Sequence, residues 1–439
     1  MTIKPTNVHK TLAKHILADG LDLVLDLKKS KGCQIYNSVN GKYLLDCFSF
    51  FATSPIGLNH PKLTTPEFIK KIGEVAVNKP TNSDIYTVEM AEFVDTFAKL
   101  AVPDYFKHLF FVSGGALAVE NGLKTAFDWK VRKNIENGIS EKLGTQVIHF
   151  KEAFHGRTGY TLSMTNTFNL DKTKYFSKFN WPRIINPKIT FPLNEENLEK
   201  VKELENQAVS EIETAVSKNP NDIAALIIEP IQGEGGDNHF RKEFFLELRR
   251  LCDEHEIMFI LDELQTGVGL TGKMWAHEHF DFKPDILAFG KKTQVCGIMV
   301  SDRVDEIKDN VFNVSSRLNS TWGGNLVDMV RCQKYLEVIK EENLIKNAEL
   351  QGKHLLEGLE KLVKKYPNKI SNARGLGLMC AFDLTSPKKR DELKNKLYAN
   401  GLIVIGCGAT SIRFRPPLII SSEEIDKTLE IIDETLGVF

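Results

Sequence analysis

The chain has 439 residues, of which 42% are hydrophobic and 26% are charged, a composition typical of a globular protein with a large core. Its 57 Lys and Arg residues are matched by 58 Asp and Glu residues, which excludes a strongly basic surface for nucleic acid or an anionic membrane. Residues 1–20 lack the central apolar stretch of a signal peptide, which predicts a cytoplasmic protein. The length predicts about two or three domains.

The seven cysteines lie far apart, and no two of them are spaced as in a zinc ribbon or a redox-active pair. An odd, scattered set of cysteines predicts reduced thiols. Two groups bring metal-ligating side chains close in sequence, namely Cys252 with His255 and His277 with His279. Neither group has a second pair of ligands to complete a tetrahedral site, so no bound metal is predicted.

The middle of the chain alternates short apolar runs with longer amphipathic patterns, as expected of strands that crossover helices bury on both faces. The predicted strands are 109–112, 146–150, 224–228, 258–261, 286–289 and 297–300, and the predicted crossover helices include 194–218 and 241–255. The pattern predicts a doubly wound α/β domain with a mostly parallel sheet. Ligands bind such sheets at the carboxyl ends of the strands.

The C-terminal part of the chain has a different character, which begins with one long helical pattern from 325 to 364. Shorter segments then predict three strands and a closing helix: 376–384, 402–405, 411–414 and 423–436. We therefore predict a large domain at 56–325, a small α+β domain at 326–439, and an N-terminal segment at 1–55 that packs with the small domain.

Two predicted strands are followed by side chains suited to chemistry. Lys291 follows the strand 286–289, where burial would lower the pKa of its amine and let it form a Schiff base. Asp262 follows the strand 258–261 and would keep the nitrogen of a pyridine ring protonated. Taken singly, the lysine could be a solvated strand end, and the aspartate a helix cap or a surface turn.

Three further segments could complete a site for a planar, phosphorylated ring. Ser113-Gly-Gly-Ala116 joins a strand to a helical pattern, where small residues would expose backbone amides to a phosphate. Phe154 and Arg157 offer an aromatic face and a guanidinium for a carboxylate. A second arginine, Arg413, lies in the predicted small domain, where it could instead be a surface residue of an edge strand.

The segment Gly267-Val-Gly-Leu-Thr-Gly272 fits the dinucleotide fingerprint Gly-x-Gly-x-x-Gly and follows a predicted strand, as in a nicotinamide oxidoreductase. The stretch after it places no acidic ribose ligand at the end of a next strand. The motif also lies far from the N-terminus, so this alternative is disfavoured.

Together these residues resemble the class III pyridoxal-phosphate (PLP) aminotransferases. The resemblance extends over nearly the whole chain, and its diagnostic run is Ile260-Leu-Asp-Glu-Leu-Gln-Thr-Gly, then Pro284-Asp, then Gly290-Lys291. It implies a PLP-transferase of fold type I. The family's cofactor lysine corresponds to Lys291 rather than Lys292, and Leu270 stands where family members often have arginine.

The resemblance also implies roles for residues that the pattern alone leaves unassigned. Asp262 would hold the pyridine nitrogen, Gln265 would meet the ring hydroxyl, and Phe154 would stack on the ring. The phosphate ligands would be the amides of Gly115 and Ala116 and, from a neighbouring subunit, Thr321. A homodimer with shared active sites follows from that last contact.

Within the family, four segments are most similar to the lysine ε-aminotransferases: 155–160, 229–238, 288–297 and 319–325. This similarity implies that the ε-amino group of L-lysine passes to 2-oxoglutarate by a ping-pong mechanism, giving 2-aminoadipate 6-semialdehyde and glutamate. Ornithine or 4-aminobutyrate transamination on the same scaffold is an alternative. A non-catalytic PLP-binding protein is a remote one.

Two unlike substrates would then share one pocket. By resemblance, Arg413 would bind the carboxylate beside the reacting carbon of 2-oxoglutarate, and Glu234 would pair with Arg413 when lysine is bound and move away for 2-oxoglutarate. Arg157 would bind the distant α-carboxylate of lysine, and Gln265 and Asn319 would also contact substrate. From the residues alone, Glu234 could also be an acid at a helix start or in a glycine loop.

Overall fold

A computed structural model describes residues 3–439 of the chain. The strands are β1 (Gln34–Asn37), β2 (Lys42–Asp46), β3 (Phe106–Val112), β4 (Gln146–Phe150), β5 (Arg183–Ile184), β6 (Ile223–Ile228), β7 (Ile231–Gln232), β8 (Asn238–His239), β9 (Met258–Asp262), β10 (Ile286–Phe289), β11 (Cys296–Ser301), β12 (Ile370–Leu376), β13 (Met379–Leu384), β14 (Leu402–Ile403), β15 (Ile405–Cys407) and β16 (Ser411–Phe414). The helices are α1 (Val8–Leu12), α2 (Ser49–Ala52), α3 (Pro66–Ala76), α4 (Val88–Ala101), α5 (Gly115–Glu136), α6 (Gly159–Met164), α7 (Glu195–Lys218), α8 (Lys242–Glu254), α9 (Leu326–Glu341), α10 (Leu344–Lys365), α11 (Pro387–Ala399) and α12 (Ser422–Gly437). Within residues 3–439, none of them is long and apolar enough to cross a membrane.

A seven-stranded sheet forms the centre of the molecule, in the order β3-β11-β10-β9-β6-β4-β5. Every strand runs parallel to the others except β11, which is antiparallel to both of its neighbours. Alternate residues of β9 face opposite cores: Ile260 packs in one hydrophobic cluster, while Phe259 and Leu261 pack in another. All six apolar runs predicted as strands lie in this sheet, which confirms the predicted α/β class with a mostly parallel sheet.

Besides the large sheet and the two-stranded pair of β7 with β8, the chain forms two further sheets. The first is antiparallel, in the order β12-β13-β16-β15, and the second joins β1, β2 and β14. In the second sheet Leu45 of β2 pairs in parallel with Leu402 of β14, so the N-terminal segment completes a sheet of the C-terminal part. The domain boundaries near 55 and 325 remain predictions.

Three predictions about the C-terminal part were wrong in detail. The predicted helix 325–364 is two helices, α9 and α10, because Asn343 adopts a left-handed conformation with φ 52° between them. The predicted strand 376–384 includes a turn at Gly377 (φ +56°) that separates β12 from β13. The predicted strand 402–405 is divided between β14 and β15, which belong to different sheets.

The glycine-rich segment that resembles a dinucleotide fingerprint is part of the packed interior. Residues 266–272 are buried, and a Cβ added to Gly267 would lie 2.3 Å from the ring of Trp275. The glycines therefore permit close packing, and the nicotinamide alternative gains no support from the structure.

Two helical glycines should respond to alanine with opposite signs. Gly73 in α3 has no atom within 4 Å of an added Cβ, so Gly73→Ala should stabilise the protein by about 0.5–1 kcal/mol through the better helix propensity of alanine. At Gly352 in α10 the added Cβ would lie 2.0 Å from the carbonyl carbon of Gly377, so Gly352→Ala should destabilise it by about 1–3 kcal/mol. Urea unfolding followed by circular dichroism measures both, and stabilisation of Gly352→Ala would contradict the packing.

Candidate active site

The carboxyl ends of three neighbouring parallel strands place the candidate residues at one edge of the large sheet. Asp262 ends β9, Glu229 follows β6, and Lys291 follows β10 after one glycine. Ala288 of β10 pairs with Asp262 of β9, so the register of the two strands sets the position of the Lys291 turn relative to the Asp262 carboxylate. The structure thus brings Lys291 and Asp262 to the same edge, where the sequence placed them.

Lys291 begins a short 3-10 turn, Lys291–Thr293, and its own backbone is left-handed, with φ 53°. Burial lowers the pKa of its amine to about 8, and the nearby Arg413 guanidinium adds to this effect, while the carboxylates of Asp262 and Glu229 oppose it. About a tenth of the amine is therefore uncharged at pH 7, far more than for an ordinary lysine, and the uncharged form is the nucleophile.

The neighbouring lysine has a different environment. Lys292 is fully buried, and its Nζ donates a hydrogen bond to the backbone oxygen of Gln265 (2.7 Å). Burial and the charge of Lys291 lower the pKa of Lys292 well below its usual value. The Lys292 amine is thus engaged in holding the Gln265 loop, and Lys291 is the better candidate for covalent chemistry.

Asp262 is held by a buried histidine. The two side chains are almost inaccessible to solvent, and His155 Nδ1 lies 2.8 Å from Asp262 Oδ2. Leu264 donates its backbone N–H to the other oxygen, Oδ1, at 3.2 Å. These contacts orient the carboxylate. The sequence interpretation left His155 without a role, although it lies between Phe154 and Arg157 in a segment already singled out.

Glu229 is a second buried acid that the sequence interpretation did not assign to the site. Its Oε1 accepts a hydrogen bond from the backbone N–H of Phe154 (2.9 Å), and its Oε2 accepts one from Gly233 (3.1 Å). Burial raises the pKa of Glu229 to about 7, and the charge of Asp262 also raises it, while His155 opposes the rise. Glu229 thus holds the backbone of Phe154 and that of Gly233 in place. Its position directly after a buried strand, like that of Asp262, was the available signal.

The start of α5 has backbone amides that could hold an anion. Gly114, with φ 120°, precedes the helix, and no side chain caps its first turn. The first helical hydrogen bond runs from Ala118 N to Gly114 O (3.0 Å), so the amides of Gly115 and Ala116 are free to bind an anion. A Cβ on Gly115 would lie 2.1 Å from Leu264 Cδ2, so a larger residue here would require the Leu264 side chain to shift.

Arg413 is buried, which corrects the alternative of a surface arginine. It lies on β16 with 1% of its surface exposed, and its Nη2 donates to Glu234 Oε2 (3.0 Å). Its Nη1 donates to Gln265 Oε1 (3.0 Å), and the same oxygen accepts a hydrogen bond from Arg415 Nε at 3.3 Å. Because both arginines bind the oxygen of Gln265, the Nε2 amide of Gln265 is left to donate to a ligand.

Three candidate residues lie at the surface of the chain. Arg157 is exposed, and its Nη2 donates to the backbone oxygen of Lys172 (3.3 Å). Asn319 and Thr321 are exposed in a loop that Ser83 holds by donating its hydroxyl to Ser320 O (2.5 Å). The folded chain by itself does not bring these two side chains into the buried cluster around Lys291.

The arrangement fits a phosphorylated pyridine aldehyde. It combines a buried amine at Lys291, an oriented carboxylate at Asp262, and free amides at the start of α5. The aromatic ring of Phe154 follows the strand β4 at the same edge. A neutral amine can bond to an aldehyde, a carboxylate can keep a pyridine nitrogen protonated, and amides at a helix start can bind phosphate.

Comparison with known proteins agrees with this chemistry. The family model "Aminotransferase class-III" matches residues 17–436. The L-lysine-epsilon aminotransferase of Mycobacterium tuberculosis is 51% identical over 435 residues, covering 99% of this chain and 96% of the relative. That of Amycolatopsis lactamdurans is 47% identical over 434 residues, covering 98% and 96%. The solved structure of lysine aminotransferase from M. tuberculosis in the internal aldimine form superposes with a TM-score of 0.97 at 50% identity, covering 99% of this chain and all of that one.

The low pKa of Lys291 predicts the pH dependence of its reactivity. An amine with a pKa of about 8 is protonated below pH 8 and becomes nucleophilic as the pH rises through 8, whereas an exposed lysine becomes nucleophilic only near pH 10. In the cofactor-free protein, the initial rate of adduct formation with pyridoxal phosphate, followed by absorbance, should therefore rise with a midpoint near pH 8.

Lys291→Ala is the control for this measurement, because it should remove the step near pH 8. A midpoint near pH 10 in the unmodified protein would contradict the burial of the amine. A borohydride-reducible adduct that persists in Lys291→Ala with the same midpoint would transfer the assignment to Lys292.

Proposed function

Because the chain belongs to the class-III aminotransferases, we propose that it transfers the ε-amino group of L-lysine to 2-oxoglutarate, with 2-aminoadipate 6-semialdehyde and glutamate as products. Three relatives that carry the name L-lysine-epsilon aminotransferase share 46–51% identity with 97–99% of the chain. The two substrates react in turn, so the kinetics are ping-pong. The observation that carries the proposal is the ion pair of Arg413 with Glu234 beside the Lys291 amine.

The cofactor is pyridoxal phosphate, which supplies an aldehyde that accepts the amino group and a pyridinium ring that withdraws electrons from the substrate carbon. We propose that Asp262 holds the pyridine nitrogen and that Gln265 Nε2 meets the ring hydroxyl. Phe154 would stack on the ring. The phosphate would be bound by the amides of Gly115 and Ala116. Each of these positions lies at the edge of the sheet where the strands end.

Lys291 is the residue that moves protons. In the lysine half-reaction its Nζ would take a proton from the substrate carbon that carries the amino group, and in the 2-oxoglutarate half-reaction it would deliver a proton to the carbon that receives the amino group. Both roles require an amine that is uncharged part of the time. Asp262 must stay correctly oriented throughout, and the hydrogen bonds with His155 Nδ1 and Leu264 N serve this need. Lys292 keeps Gln265 in place by its hydrogen bond to the backbone.

The Arg413–Glu234 pair accounts for the use of two unlike substrates. The reacting end of lysine carries no carboxylate, so an unpaired guanidinium beside it would be unfavourable, and Glu234 neutralises Arg413. The reacting carbon of 2-oxoglutarate is adjacent to a carboxylate. Glu234 must then leave Arg413, which binds that carboxylate in its place. Arg157, at the exposed rim, would bind the distant carboxylate of either substrate.

We propose that the active enzyme is a homodimer in which Thr321 completes the phosphate site of the partner subunit and Asn319 contacts its substrate. The exposed position of the loop that carries both residues supports this assignment. Next to the loop, Ile85, Tyr86 and Trp322 expose large apolar surfaces, which a second copy of the chain would cover. We also propose a cytoplasmic location, since seven buried, unpaired cysteines suit a reducing compartment.

The proposed reaction is tested directly with L-lysine labelled with heavy nitrogen only at the ε position. Incubation with enzyme, pyridoxal phosphate and 2-oxoglutarate should give heavy glutamate, detected by mass spectrometry, because the far amine is the one transferred. Lysine labelled only at the α position is the control and should give unlabelled glutamate. The reverse pattern would indicate α-transfer, and no glutamate from either would direct the search to ornithine and 4-aminobutyrate as donors.

Removing the Glu234 carboxylate should impair the two half-reactions unequally. Glu234→Gln leaves Arg413 unpaired beside the apolar chain of lysine, so the kcat/KM of the lysine half-reaction should fall by at least about tenfold. The 2-oxoglutarate half-reaction should change much less, since Glu234 is absent from Arg413 when that substrate is bound. Stopped-flow absorbance measures both. Glu196→Gln, on the exposed face of α7, is the matched control, and equal losses in both half-reactions would contradict the switch.

A further inference from the structure

Glu234 has a second cationic partner besides Arg413. Lys172, the last residue of a short 3-10 helix at Leu170–Lys172, donates a hydrogen bond from its Nζ to Glu234 Oε1, while Arg413 Nη2 donates to the other oxygen, Oε2, at 3.0 Å. The side chains of Lys172 and Glu234 are 27% and 23% exposed, whereas that of Arg413 is 2% exposed. The carboxylate thus bridges a cation of the interior and a cation near the surface.

Lys172 is also connected to two other residues of the site. Its Nζ lies 5.7 Å from the centre of the Phe154 ring, within the range of a cation–π contact. Its backbone oxygen accepts the hydrogen bond from Arg157 Nη2 at 3.3 Å. Lys172 therefore contacts Phe154, Arg157 and Glu234.

A nearby lysine shows what an ordinary surface pair in this segment looks like. Lys174 pairs with Asp171, three residues before it, and both side chains are largely exposed. Such local, exposed pairs contribute little to stability. The pair of Lys172 with Glu234 differs because it joins segments 62 residues apart and is partly buried. It therefore calls for a reason beyond surface charge balance.

We propose that Lys172 is a specificity-determining residue that holds Glu234 when the carboxylate has left Arg413. The inference rests on the proposed function, because it concerns the step in which 2-oxoglutarate replaces Glu234 at Arg413. Only the bond from Arg413 to Oε2 has to break in that step. The bond from Lys172 to Oε1 lies on the solvent side and can persist, so the displaced carboxylate keeps a cationic partner.

The position of Glu234 that Lys172 favours follows from the two cations that share the Glu234 carboxylate. While Arg413 is bound, it already neutralises much of the carboxylate charge, so Lys172 adds less stabilisation than it does after Arg413 has left. Lys172 consequently favours the withdrawn position of Glu234 over the paired position. Without this lysine, Glu234 would remain on Arg413 more of the time, and the carboxylate of 2-oxoglutarate would compete less well for that arginine.

The test compares Lys172→Met, which removes the cation but keeps an apolar stem, with Lys172→Arg and with the matched control Lys174→Met. All are studied as holoenzymes. The first readout is the Kd of glutarate, an inert five-carbon dicarboxylate, by titration calorimetry. The second is the ratio of kcat/KM for the two half-reactions by stopped-flow absorbance.

In Lys172→Met the Kd of glutarate should rise by about threefold to tenfold, and the ratio of kcat/KM should shift toward lysine by a similar factor. Lys172→Arg should largely restore both, and Lys174→Met should match the unmodified enzyme.

The decisive comparison asks whether the effect of Lys172 on glutarate binding depends on the Glu234 carboxylate. In a Glu234→Gln background, Lys172→Met should add no further change in the Kd of glutarate, because the group it holds is gone. Equal behaviour of Lys172→Met and Lys174→Met would overturn the inference. Tighter glutarate binding in Lys172→Met would also overturn it, because Lys172 would then favour the pairing of Glu234 with Arg413. Failure of the proposed function is separate: the unmodified enzyme would then yield no glutamate from lysine and 2-oxoglutarate, while the glutarate measurement could still be made.

Discussion

The pairing of buried charges is the constraint on which this site depends. A charge taken out of water needs a partner, since leaving it alone costs several kcal/mol at least, on the order of 3–5 when one member of a buried pair is removed. Arg415 and Asp237 are both inaccessible to solvent and bind each other, and Arg413 is paired with Glu234. Asp262 is held by a buried histidine. These pairs hold the loops after the strands in place, because a shift of any loop would leave a buried charge without its partner.

Gln265 connects the two halves of the site. Its backbone oxygen accepts the hydrogen bond of Lys292, next to Lys291. Its side-chain oxygen accepts those of Arg413, on β16, and Arg415, just after β16. The lysine turn and Arg413 are thereby both anchored to Gln265. Glu234 is the member of this network that is only partly buried, and it is the one that the proposed exchange of two substrates would require to move.

The pattern of apolar runs predicted six of the seven strands of the central sheet to within a few residues, because strands buried on both faces are continuously hydrophobic. It predicted the C-terminal part less well. There, breaks depend on single residues: Asn343 in a left-handed conformation interrupts a helical pattern, and Gly377 turns an apparent strand into a hairpin. A hydrophobic pattern continues across such points, so periodicity alone does not reveal them.

The sequence by itself determined the fold class, the family, and the side chains that follow strands, such as Lys291 and Asp262, because these depend on local order along the chain. Only the tertiary structure decided which distant residues share a partner. The pairing of Arg413 with Glu234, the hydrogen bond between Glu229 and Phe154 N, and the bridge from Lys172 to Glu234 all join segments far apart in sequence. Such contacts arise where the folded chain brings separate loops and strands together, and spacing along the chain does not show which of them will meet.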